Sequence, residues 1–87
     1  MKLSIIIPVY NAEKYLEKCM KSIFDNIENS FEVILINDGS KDNSLKIIKE
    51  LMKKNKNIEL IDNSNNGVSY SRNLGIKKAK GNYIMFV

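Results

Sequence analysis

The tightest limit on the fold comes from residues 3–13, Leu3-Ser4-Ile5-Ile6-Ile7-Pro8-Val9-Tyr10-Asn11-Ala12-Glu13. An almost unbroken apolar, β-branched run without polar alternation suits a strand buried on both faces, the habit of parallel sheets covered by helices. Pro8 has no backbone N–H to give to a ladder, so it marks where pairing on its side lapses. Val9 to Asn11 then turn at the strand's C-terminal end, and Asn11 is a good N-cap for a following helix. In open α/β sheets this edge is where ligands bind.

The rest of the chain alternates. Ala12, Tyr15, Leu16, Cys19, Met20, Ile23, Phe24 and Ile27 recur at helical spacing and predict an amphipathic helix, broken by Glu28-Asn29-Ser30. Phe31 to Ile36 is a second apolar strand. Asn37-Asp38-Gly39-Ser40 reads as a turn into a second helix, with Ser40 as N-cap and Asp42 favourable in the first turn. That helix carries its stripe on Leu45, Ile48, Leu51 and Met52, and Asn55 to Asn57 end it. Ile58 to Ile61 is a short third strand and Asp62 to Gly67 a polar loop. A third helix runs over Val68 to Lys80, stopped by Gly81 in the left-handed C′ position, and Asn82 to Val87 is a fourth strand.

Strand–helix alternation implies right-handed parallel crossovers. The expected fold class is therefore α/β: half of a doubly wound parallel sheet, four strands in order 3-2-1-4 with three helices. Two helices would cover one face and the third the other. The switch point then falls at Pro8–Asn11, and three helix N-termini would offer free N–H groups there as a seat for phosphates.

Composition narrows the class of function. A chain of 87 residues is one small domain, and 44% hydrophobic with 28% charged residues is globular. The net charge of +4 comes from scattered lysines, with Lys41, Lys46, Lys49, Lys53 and Lys54 reading as a solvated face, so no nucleic-acid partner is expected. A single cysteine, Cys19, excludes an internal disulfide and fits a reducing compartment. Its place on the apolar helix face makes it a small core hydrophobe. No stretch is long enough to cross a bilayer and the N-terminus lacks signal-peptide architecture. A cytoplasmic location is expected, the inner face of the membrane included for a complete enzyme.

Four strings, in order, carry a family resemblance. Ser4-Ile5-Ile6-Ile7-Pro8-Val9-Tyr10-Asn11 resembles the opening of inverting, GT-A-fold glycosyltransferases of family 2. Asn37-Asp38-Gly39-Ser40-Lys41-Asp42 is similar to that family's DGSxD turn. Asn66-Gly67-Val68-Ser69-Tyr70-Ser71-Arg72-Asn73-Leu74-Gly75 is similar to its NxGxSxARNxG segment, with Asn66 directly before Gly67. Gly81 to Val87 matches the strand before its acidic metal-binding motif. The resemblance spans the whole chain. It implies a partial Rossmann-like (GT-A) sheet and the N-terminal, nucleotide-binding half of a glycosyltransferase over residues 1–87. The partner would be a nucleotide diphosphosugar, a UDP-sugar foremost, with an unidentified carbohydrate or lipid-linked acceptor.

The resemblance also distributes roles. Asp38 would accept a hydrogen bond from the base, at the N3–H of uracil; the alternative is an Asx-turn residue satisfying its own backbone. Gly39 frees that turn. Pro8, Val9 and Tyr10 would shape the base and ribose slot, against a plain strand-end turn with Tyr10 as a packing lid. Asn11 completes that turn. Glu13 would reach the ribose, or merely favour the helix dipole. Arg72 would hold the diphosphate or a base edge with paired hydrogen bonds, against a solvated arginine or a bridge to Asp38. Gly67 admits the chain to the third helix, and Gly75 reads as close helix–sheet packing. Ser69, Ser71 and Asn73 are crevice contacts or ordinary surface residues.

The chain has no histidine and no acidic residue after Asp62. The family's Mg²⁺ or Mn²⁺ is held by an Asp-x-Asp type motif after the fourth strand, and a later carboxylate is its general base. Both are missing from these residues, so no catalytic residue is expected here and the isolated chain should not turn over. Two rivals stand beside this reading. A response-regulator receiver lacks its acidic cluster after the first strand. A glycosyltransferase-derived binding or assembly module remains open. No dinucleotide or Walker fingerprint occurs. The apolar fourth strand would be an unprotected edge that invites pairing with a second copy.

Overall fold

The computed structural model describes residues 3–27 and 30–87; the expected helix break at Glu28 and Asn29 lies outside them. Seven elements alternate: β1 (Leu3–Val9), α1 (Leu16–Asn26), β2 (Phe31–Asp38), α2 (Ser44–Lys54), β3 (Ile58–Asn63), α3 (Val68–Lys78) and β4 (Tyr83–Phe86). The strands form one parallel sheet in the order β3-β2-β1-β4. This is the expected α/β architecture, and its register shows what Pro8 does. The carbonyl of Ile6 accepts from Val87, so residues of even parity on β1 face β4. Pairing with β4 ends at Ile6–Phe86, whereas pairing with β2 continues to Val9–Asn37. The missing N–H of Pro8 therefore falls beyond the β4 ladder and costs the β2 ladder nothing.

The two faces of the sheet are unequal. Ile5, Ile7, Val9, Val33, Leu35 and Ile58 meet Leu16, Met20 and Ile23 of α1 and Ile48 of α2 in the main core. Cys19 packs against this core as a free thiol, as its apolar spacing predicts. Two residues leave the predicted stripes: Tyr15 is exposed, and Ile47 replaces Leu45 against the core. Tyr15 precedes the regular helix, where its position no longer follows the α1 stripe.

On the opposite face, Ile6, Ile34 and Ile36 form a small cluster under α3. That helix buries only Ser71 and Gly75. A Cβ on Gly75 would lie 2.5 Å from Ile6 Cγ2 and 3.0 Å from Ile36 Cδ1, so the glycine lets α3 sit directly on β1 and β2.

Helix ends depart from expectation. Asn11 does not cap α1. It lies in left-handed backbone at φ 49°, and the Ala12 carbonyl accepts from Tyr15 and Leu16 to open a turn before the helix. Ser40 does not cap α2, which begins at Ser44 after Asn43; the amide of Ser44 is taken by Asp42 at 2.9 Å. α3 ends at Lys78, and Gly81 is not in the left-handed region. Gly81 serves close approach instead, because a Cβ there would lie 2.7 Å from both the backbone nitrogen and the hydroxyl of Ser4.

Candidate functional site

The C-terminal ends of β1 and β2 lie side by side, since Val9 pairs with Asn37. This places Pro8, Val9, Tyr10 and Asn11 beside Asp38 and Gly39, as the sequence predicts. Val9 is buried in the main core, while Tyr10 is 49% exposed.

Asp38 is the last residue of β2 and only 5% exposed. Its Oδ1 accepts from the Asn66 amide at 2.8 Å and its Oδ2 from the Gly67 amide at 2.9 Å. It therefore holds the loop before α3 rather than closing an Asx turn on its own backbone. Each carboxylate oxygen keeps a further lone pair for an incoming donor. Gly39, at φ 72°, has the backbone of Asn65 packed against it; a Cβ would lie 2.8 Å from that nitrogen. Gly67, at φ 94°, turns the chain into α3. The turn after β2 and the loop after β3 thus form one continuous rim.

The other side of Asp38 is a second interlock. The amides of Asn11, Ala12 and Glu13 donate to Ser40 Oγ, Ser44 Oγ and Asp42 Oδ2 at 3.0, 2.8 and 3.1 Å. In return the Lys41 amide donates to Asn11 Oδ1 at 2.8 Å. No N-cap side chain bonds the first turn of any of the three helices, but backbone amides around those helix starts are taken. The amides of 11–13, 44, 66 and 67 are already satisfied by side chains of the neighbouring loops. Asp42 answers to two opposed influences: burial raises its carboxyl, but hydrogen bonds from Ser44 and from the Glu13 amide outweigh it and hold the group below its ordinary 3.8.

Two predicted contacts lie apart from this rim. Glu13 lines a groove of about 410 Å³ between α1 and α2, with Glu17, Lys46 and Lys54. Arg72 is exposed on α3, its guanidinium carbon 5.7 Å from the Phe86 ring centroid on β4. No ion pair joins it to Asp38 among the described residues. Among those residues no three His, Cys, Asp or Glu side chains come together in a way that could hold a metal ion. The residues present do not fit the metal that the resemblance implies. Nor is any helix among them long and apolar enough to cross a membrane.

The model of the glycosyl transferase family 2 matches residues 4–87. The chain belongs to that family. Glycosyltransferase GlyA of Streptococcus pneumoniae is 42% identical over 86 residues, which are 99% of this chain and 12% of GlyA. The crystal structure of Staphylococcus aureus TarS 1–349 in complex with UDP-GlcNAc superposes over the whole chain with a TM-score of 0.89 at 32% identity. A mannosyltransferase of Pyrobaculum calidifontis, in complex with GDP-Man and Mn²⁺, shares the fold with a TM-score of 0.81 at 18% identity. The family 2 chain described here spans 26% of that TarS chain, and its four-stranded parallel sheet matches the GT-A, Rossmann-like fold of that portion. Sequence reasoning missed the interlock of Ser40, Asp42 and Ser44 with residues 11–13. The only signal for it was the density of short polar side chains after Gly39.

Proposed function

We propose that residues 1–87 are the donor-nucleotide half of a family 2 glycosyltransferase. The complete enzyme would transfer a sugar from a nucleotide diphosphosugar, a UDP-sugar foremost, to an acceptor hydroxyl by single displacement with inversion. The observation that carries this reading is the placement of Asp38. A carboxylate 5% exposed, at the C-terminal edge of β2, is anchored on one side by two amides and has lone pairs left for a base N–H. Pro8, Tyr10 and Asn11 wall the slot beside it, Val9 supports them from the core rather than by contact with the ligand, and Glu13 reaches the ribose only by swinging out of the groove it lines. Arg72, resting on Phe86, supplies a planar cation for the diphosphate. The likeness to TarS with UDP-GlcNAc supports a uridine donor.

This reading assigns no catalytic residue to the 87 residues and expects no turnover from them alone. It leaves Mg²⁺ or Mn²⁺ to the complete enzyme, which would act at the cytoplasmic face of the membrane or in the cytoplasm. Calorimetric titration with UDP, GDP and CDP, with and without Mn²⁺, tests it. Saturable binding of UDP, weakened by Asp38→Ala and by Arg72→Ala and indifferent to metal, is the expected result. A folded chain that binds none of the three would overturn the nucleotide role.

A second reading, a family-derived assembly module, is favoured by β4. Ile84, Met85 and Phe86 are 42%, 37% and 43% exposed on an edge strand, a surface suited to pairing with another copy. Sedimentation should then show a dimer at high concentration; a monomer throughout would remove this reading.

A further inference from the structure

We propose that Asp42, with Ser40 and Ser44, is a positioning clamp that presets the β1–α1 turn against Asp38. The inference rests on the nucleotide reading above for its functional consequence, but the clamp itself is a separate claim about the chain.

Asn11 is the one residue other than glycine in left-handed backbone among those described. Asparagine tolerates that region better than most residues, yet it remains a minority state that needs support. The support comes from 29–32 residues away. Ser40 accepts the Asn11 amide, Ser44 the Ala12 amide and Asp42 the Glu13 amide, while Asn11 Oδ1 accepts the Lys41 amide. Four bonds run between two loops in both directions, so neither loop can shift alone.

Asp42 is the hinge pin of this set, because it works on both sides. Its Oδ2 takes Glu13 from the first loop and its Oδ1 takes Ser44 at the start of α2. Through Ser44, whose hydroxyl then meets Ala12, the start of α2 is tied to the α1 turn. The exposed ring of Tyr10 directly precedes the left-handed residue. Asp38 directly precedes Gly39 on the other loop. The clamp therefore fixes the spacing between the two walls of the slot without touching its occupant. The three side chains act through backbone and are positioning residues, not catalytic ones.

Removing the clamp should turn one slot geometry into several. If the bound geometry falls to about a tenth of the population, apparent nucleotide affinity falls about tenfold. Asp42→Ala is compared with Asp42→Asn, which keeps one acceptor oxygen, and with Ile23→Val, which trims the α1 core far from the loops. Two readouts are taken on the same chain: amide hydrogen exchange by NMR, and UDP affinity by calorimetry. The clamp predicts that Asp42→Ala speeds exchange at Asn11, Ala12, Glu13 and Lys41 about tenfold. Exchange at Asn66 and Gly67, held by Asp38, stays unchanged. UDP affinity falls about tenfold, Asp42→Asn lies between, and Ile23→Val lowers the unfolding midpoint without altering affinity. Unchanged exchange at residues 11–13 in Asp42→Ala would overturn the clamp. Faster exchange with undiminished UDP affinity would overturn its positioning role. A wild-type chain that binds no UDP, but whose residues 11–13 loosen in Asp42→Ala, would sink the nucleotide reading and uphold the clamp.

Discussion

Ser4 on β1 donates its hydroxyl proton to the Glu32 carboxylate on β2 across 2.6 Å, with both side chains buried. The same Glu32 oxygen accepts the Lys80 amide at 2.6 Å, and the Ser4 oxygen accepts the Gly81 amide at 2.8 Å. Two side chains near the start of the sheet thereby fix the loop that delivers β4. That strand is short and exposed, so this polar junction contributes much of what holds it in register. Glu32→Ala should lower stability by about 2–3 kcal/mol, because it strands the buried Ser4 hydroxyl and unpairs the part-buried Lys80 amide. Urea unfolding measures the loss, and faster amide exchange in β4 should accompany it. A change within a few tenths of a kcal/mol would contradict the junction.

Gly75 makes the opposite kind of prediction. Alanine is the better helix former by about 1 kcal/mol, which in an exposed helix would stabilise. Here a Cβ would meet Ile6 Cγ2 at 2.5 Å, so overpacking should win by about 1–3 kcal/mol. A rise in the urea midpoint of Gly75→Ala would mean that α3 can lift from the sheet freely.

Ser71 is fully buried on the same helix, and its hydroxyl has no hydrogen-bond partner among the described residues. Removing an unpaired buried polar group relieves its desolvation cost. Ser71→Ala should therefore stabilise by about 1 kcal/mol in thermal or urea unfolding. Destabilisation would show that the hydroxyl is engaged.

Asp42 sets a pH dependence. Its folded carboxyl is held below the ordinary 3.8, so the unfolded chain binds more protons in that range. The stability this contributes is in place above the unfolded value and is lost as pH falls through the folded one. Asp42→Asn should thus flatten the fall of stability below about pH 4. An unchanged acid limb would contradict the hydrogen bonding that lowers the group.

The layout of the fold was legible because Ile5–Ile7 and Val33–Ile36 are continuous apolar runs separated by helical spacing, and that pattern admits few topologies. The role of Gly75 was legible for a related reason: a glycine inside a helix that must lie on a sheet has little else to do. Helix ends were not legible. Local capping rules assign Asn11 and Ser40 to the helices that follow them, whereas both side chains bond to the neighbouring loop. Asp38 was placed at the site by its motif, but its bonds to Asn66 and Gly67 span 28 and 29 residues and leave no local trace. Gly81 reads in sequence as a helix terminator and is instead a gap for Ser4. Its conformational signal and its packing signal are the same letter.

The most direct test of the nucleotide site is an amide NMR map of the wild-type chain titrated with UDP. A donor-nucleotide site should give saturable shifts concentrated at Val9–Asn11, Asp38–Gly39 and Asn66–Gly67, with an additional shift at Arg72, and their loss in Asp38→Ala. Shifts confined to the groove between α1 and α2, or none in a folded chain, would contradict it.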